Sequence, residues 1–161
     1  MTKNLSLLLA IALVTTAGCK KKDGDAATPS GKAVEAGPVK LAKIGLQIDV
    51  GGETAVSDGI GASSQMVSGE AIGAMQVEVA DKKQTIDDAK SDAGMFNPKN
   101  LKAETLADGW ALTYDNVGSA GANFFVAVQR EIGGKTYSCT TTAGDGDHAK
   151  AVLAACKTLR K

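Results

Sequence analysis

Several things are scarce in this chain of 161 residues, and each scarcity excludes something. There is one histidine, His148. A general base needs an orienting partner and a cleft. Asp145 and Asp147 lie beside His148, but all three stand where a helix should start, which points to capping or plain exposure. Cys139, Cys156 and His148 fall short of a structural zinc site, which takes four ligands at closer spacing. Asp145-Gly146-Asp147 begins like a calcium loop, but position 156, where the closing Glu would stand, is Cys156. Acidic and basic residues balance, 18 against 18, so nothing indicates the basic face that nucleic acid requires. The loop at Gly118-Ser119-Ala120-Gly121 lacks the Lys-Ser/Thr of a phosphate cradle. Ser57, Ser63, Ser64 and Ser138 have no nucleophile elbow around them. Asp87, Asp88 and Asp92 make an acidic helical surface of the solvated kind. The residues thus indicate no catalytic set, no metal site and no cofactor. Aromatic residues are only 4% of the chain, while Gly, Ala, Val and Thr are frequent, which suits a β-rich domain of small residues.

Long apolar runs are lacking too. The longest, near residues 5–14, is about half the 20 residues that a membrane-crossing helix needs. Lys3 precedes it, Thr16-Ala17-Gly18-Cys19 follows it, and Lys20, Lys21 and Lys22 come next. This segment resembles a bacterial lipoprotein signal, whose lipobox ends in a cysteine. A plain secretory signal also fits the core length, and a cytoplasmic chain with an apolar start is the third alternative. The lipobox resemblance implies removal of residues 1–18. It also implies a diacylglycerol on the Cys19 thiol and a further acyl group, such as palmitate, on its amine. Several acyl chains anchor stably where one binds marginally. With Lys20 after Cys19, the resemblance implies the outer membrane, with the domain facing the periplasm or the cell surface. Residues 19–40, rich in Lys, Asp, Gly, Ala, Thr and Pro, read as the lipidated cysteine and a flexible tether. Residues 41–161 read as one domain.

Of three cysteines, lipidation would claim Cys19. Cys139 and Cys156 remain, and an even pair outside the cytoplasm reads as a disulfide. Closing a loop of that length stabilises by roughly 3 kcal/mol through chain entropy.

Alternation of apolar and polar residues predicts a strand that begins near Leu41 and runs through Ile44, Leu46, Ile48 and Val50, and strands at residues 75–79, 110–114 and 124–128. Residues 54–69 hold shorter β-like pieces. Asp108-Gly109 and Gly133-Gly134 signal hairpins. Ile86, Ala89, Ala93 and Phe96 have helical spacing, with Thr85 and Asp88 as a capping pair and Asn97-Pro98 as a stop. Ala149, Val152, Leu153, Cys156 and Leu159 form the apolar stripe of a C-terminal helix. Lys157, Arg160 and Lys161 are placed in its last turn, where the helix dipole favours cations. Trp110, Leu112, Tyr114, Phe124, Val126 and Val128 are predicted to share one buried face with Ile86, Phe96, Val152 and Leu153. The fold class is therefore α+β: a twisted antiparallel sheet with a mid-chain helix and a C-terminal helix packed on it.

That element order, with the opening Ile44-Gly45-Leu46-Gln47-Ile48, resembles the Mog1/PsbP-like fold. The resemblance implies a non-enzymatic assembly factor or binding module. Three functions follow for testing. The leading one is an envelope lipoprotein whose domain binds a protein or envelope component, and a flat apolar sheet face would favour it. The second is an inhibitor of an extracytoplasmic hydrolase, favoured by a protruding apolar loop within residues 56–68. The third is a small enzyme using His148, favoured by a deep polar cleft around that residue.

Overall fold

The computed structural model describes residues 37–119 and 121–161. Cys19, the segment read as a signal and most of the segment read as a tether lie outside the described residues. Among the described residues, nine strands and two helices run in the order β1 (Gly37–Leu41), β2 (Leu46–Val50), β3 (Thr54–Asp58), β4 (Ser64–Gly69), β5 (Gly73–Val79), α1 (Ile86–Gly94), β6 (Lys99–Leu106), β7 (Gly109–Gly118), β8 (Gly121–Ile132), β9 (Lys135–Ala143) and α2 (Gly146–Cys156). The architecture is mostly antiparallel sheet with two helices, an α+β arrangement. Seven strands form one sheet in the order β3-β4-β5-β9-β8-β7-β6, and β1-β2 is a separate hairpin.

Local chemistry explains the elements. Both residues of the β8–β9 turn, Gly133 and Gly134, have positive φ, 59° and 75°. That is the backbone a two-residue hairpin asks for and side chains resist. Thr85 and Asp88 form the reciprocal capping box at the start of α1. Asp145 caps α2 by accepting from the Asp147 N–H at 2.7 Å.

The register divides the large sheet into two faces. Val77, Cys139, Val128 and Ala111 stand in one cross-strand row. With Val67, Met75 and Val126 they meet Val152, Ala155 and Cys156 of α2 and Leu41, Leu46, Ile48 and Val50 of the hairpin in one core. Leu112 and Ala127 are paired on the opposite face. There Trp110 and Leu112 pack against Ala89 and Ala93 of α1. The expectation of a single buried face is thereby corrected. Trp110 and Leu112 lie on one side, Val126, Val128 and Phe124 on the other, and the two helices cover opposite faces. Alternation reveals which residues share a face along one strand, but not how neighbouring strands align.

Three boundaries also differ. β1 starts at Gly37, inside the segment read as tether. Ile44 and Gly45 fall in the turn between β1 and β2 rather than in a strand. Helix α2 ends at Cys156, with no basic residue in its last turn. Arg160 instead bridges Gln47 of β2 and grips Asp49 with two bonds of 2.7 Å. The half-buried Asp49 carboxylate offers Arg160 a directed, two-pronged partner.

Arg130 ties the end of α2 to the sheet. Its guanidinium donates to both oxygens of Asp108, at 2.8 and 2.6 Å for the closest pairs, and to the Lys157 carbonyl. The Arg130 hydrogen bonds hold the Asp108 carboxyl below the usual carboxylate range. A depressed carboxylate contributes stability above its unfolded pKa of about 4, and that contribution is lost as pH falls through the lower folded value. Asp108→Asn is therefore expected to cost about 1–2 kcal/mol at neutral pH. It should also flatten the loss of stability below about pH 4. Denaturant titrations at both pH values would check this. An equal acid dependence in variant and wild type would refute it.

Candidate functional site

Helix α1 does not roof its whole face of the sheet. It packs chiefly against β7 and β6, with Ala127 of β8 at the border of that cluster. Its approach is pinned by the buried Gln129, whose amide donates to the Lys82 carbonyl at 3.2 Å and accepts from the Gln84 N–H at 2.8 Å. Trp110 Nε1 donates to the Gln84 carbonyl at 3.0 Å. With nine residues, α1 is about 14 Å long and runs out before it can cross the remaining strands.

Over β8, β9, β5 and β4 the face is left as an open trough of about 530 Å³, lined among others by Ile60, Met66, Gln76, Tyr114, Phe125 and Thr140. One wall is aromatic. The Tyr114 and Phe125 rings stack with centroids 4.5 Å apart, and Phe96, just past the end of α1, stacks on Phe125 at 6.2 Å. Phe96 is 53% exposed, so the stack faces solvent at its outer end. The opposite wall is the β3–β4 connection, where Ile60 is 83% exposed. Gln76 positions that wall. Its amide oxygen accepts from the Ile60 N–H at 3.0 Å, while its amide nitrogen donates to Glu78 at 2.8 Å.

Among the described residues, Tyr114 is the only titratable side chain lining the trough, and burial pushes its phenol up from the ordinary value. At neutral pH it is an uncharged platform. Rings, methyl groups and threonine hydroxyls suit the burial of an apolar or small-residue ligand surface with a few neutral hydrogen bonds.

The residues singled out from the sequence lie elsewhere. His148 is half-buried in the first turn of α2, beside Gly73. Its neighbours are spent locally, since Asp145 caps the helix and Asp147 pairs with Lys150 at 2.7 Å. That Lys150 hydrogen bond holds the Asp147 carboxyl low. Among the described residues no three His, Cys, Asp or Glu side chains converge as metal ligands would. Asp87 pairs with Lys90, Asp88 caps α1 and Asp92 accepts from Gln84. Ser64 is buried and donates to the Gly61 carbonyl. Gly118 and Gly121 pair at the tip of the β7–β8 hairpin. Cys139 and Cys156 do come together at disulfide distance, with Cα atoms 5.8 Å apart and the pair buried. No helix among the described residues is long and apolar enough to cross a membrane.

Sequence reasoning did not single out the trough. Its signal was present in β8, where Phe124, Val126 and Val128 alternate with Phe125 and Ala127. A strand apolar on both faces is covered, or meant to be covered, on both. No protein family matches the chain, and no curated protein matches it.

Proposed function

We propose that this protein is a non-enzymatic envelope lipoprotein with a Mog1/PsbP-like domain that binds a protein or other envelope component through the open sheet face. Acyl chains on Cys19 would hold it in the outer membrane, and the tether would give the domain reach. The observation that carries the reading is the trough beside α1. It is broad, shallow and apolar, and its lining supplies rings and hydroxyls rather than an acid and a base. The anchor rests on the residues around Cys19 alone.

A second reading has an observation of its own. Ile60, at the tip of the β3–β4 connection, is the exposed apolar residue an inhibitor of a hydrolase would insert. Yet Ile60 also lines the trough and is held there by Gln76, so it serves the binding face without a separate role.

One experiment with two arms tests the proposal. A photo-crosslinking residue at the exposed Thr142, on the trough rim, is expected to give a discrete adduct in intact cells. Thr140→Arg, which sets a cation on the trough floor, should cut its yield about tenfold. An undiminished adduct would remove the trough from the proposal, and a hydrolase as the captured protein would favour inhibition. In the second arm Cys19→Ser should leave uncleaved precursor. A Ser variant processed and membrane-bound like wild type would refute the anchor.

A further inference from the structure

The two edges of the seven-stranded sheet differ. The β6 edge is guarded, with an irregular register between Lys99 and Lys102, Asn100 at φ 51°, and charged Lys99, Lys102 and Glu104 along it. Bulges and lysines are how sheets prevent further strands from adding. The β3 edge has neither bulge nor lysine, and its one charge, Asp58, stands at its end. Thr54–Asp58 pairs with β4 without a break and contains no lysine, proline or bulge.

Its hydrogen-bonding phase follows from one bond. The Gly59 N–H donates to the Ser64 carbonyl, so Gly59 and Ser64 form a hydrogen-bonded pair. In an antiparallel ladder such pairs recur every second residue. Ser57 and Ala55 therefore bond inward to β4. The N–H and C=O groups of Thr54, Val56 and Asp58 point outward, and among the described residues no strand pairs with them. Val56, paired with the fully buried Val67, is itself 38% exposed.

We propose that this edge pairs with the same edge of a second copy, antiparallel about a two-fold axis through Val56. Val56 then faces Val56 of the second copy, and Thr54 faces its Asp58. Each hydrogen-bonded pair exchanges two bonds, so this register forms six backbone hydrogen bonds from three outward residues per chain. The two Val56 side chains meet over the rim of the core and cover one another. The acidic residues do not oppose each other. Asp58 already carries Lys43 at 2.9 Å and falls opposite a threonine, and Glu53 falls opposite Gly59 of the second copy. An unrelated extended segment would need side-chain pockets to be chosen over others. This edge offers one apolar anchor, and the symmetric pairing lets each copy's anchor meet the other's. A strand pair alone is smaller than a standard interface, so the association is reversible and concentration-dependent.

Sedimentation equilibrium of the full chain in density-matched detergent tests this. A reversible dimer is expected. Val56→Lys would set two ammonium groups face to face on the axis. Val56→Pro would delete an outward N–H without touching a β3–β4 bond. Both should weaken the dimer at least about tenfold, and Leu101→Lys on the β6 edge should leave it unchanged. If Val56→Pro misfolds, Val56→Lys carries the test, because that side chain is already partly in solvent. Hydrogen exchange reads the same point without mutation, since the Thr54, Val56 and Asp58 amides should slow as concentration rises. A chain monomeric up to millimolar concentration, a Val56→Lys variant that dimerises like wild type, or exchange at those amides independent of concentration would each overturn the proposal.

Discussion

Val126→Asp is expected to abolish cooperative folding of the domain, whereas Ala127→Asp, one residue along, is expected to cost far less. Val126 is 2% exposed, on the sheet face covered by α2. Its cross-strand neighbours are Thr113 and Thr141. A carboxylate there has no cation within the cluster, so it must ionise in an apolar core or fold protonated. Losses of this kind reach about 3–5 kcal/mol, a large part of the stability of a domain this size. Ala127 points the other way, into the half-open trough, where water can solvate a new charge. Thermal melts followed by circular dichroism would decide. Equal destabilisation by the two variants would show that the faces of β8 are misassigned.

Cys156→Ser, or reduction of the native chain, is expected to lower stability by about 2–4 kcal/mol while keeping the sheet. Cys139 lies in the central strand β9 and Cys156 in the last turn of α2, and both are fully buried. Breaking their link restores chain entropy to the unfolded state, and the serine hydroxyl must find a partner among apolar neighbours. Arg130 and Arg160 still hold the chain just beyond α2, so the helix should loosen before the strands open. Hydrogen exchange before and after reduction would show α2 amides accelerating first. Two reactive thiols in the unreduced native protein would refute the pairing.

Thr85 and Asp88, Asp145, Gly133 and Gly134 act within a few residues of themselves, so the helix starts and the tight hairpin could be read locally. The cysteine pair was readable because few pairings compete once Cys19 is set apart. Strand phase within β7 and β8 was readable too. The error lay in placing Trp110 and Val126 on one face, because register between strands depends on pairing across the sheet.

The sequence by itself determined the broad α+β class, the Gly133-Gly134 hairpin and the starts of both helices, since these follow from short-range stereochemistry. Only the tertiary structure decided which face each helix covers, that α1 packs chiefly on β7 and β6, and that Arg130 and Arg160 close on Asp108 and Asp49. The trough formed by Phe125, Tyr114 and Ile60 and the bare edge at Val56 belong to this second kind. They exist because residues from four or more strands and two connections meet at distances that no local pattern encodes. What remains uncovered there depends on where neighbouring elements end, which is a property of the packed chain as a whole.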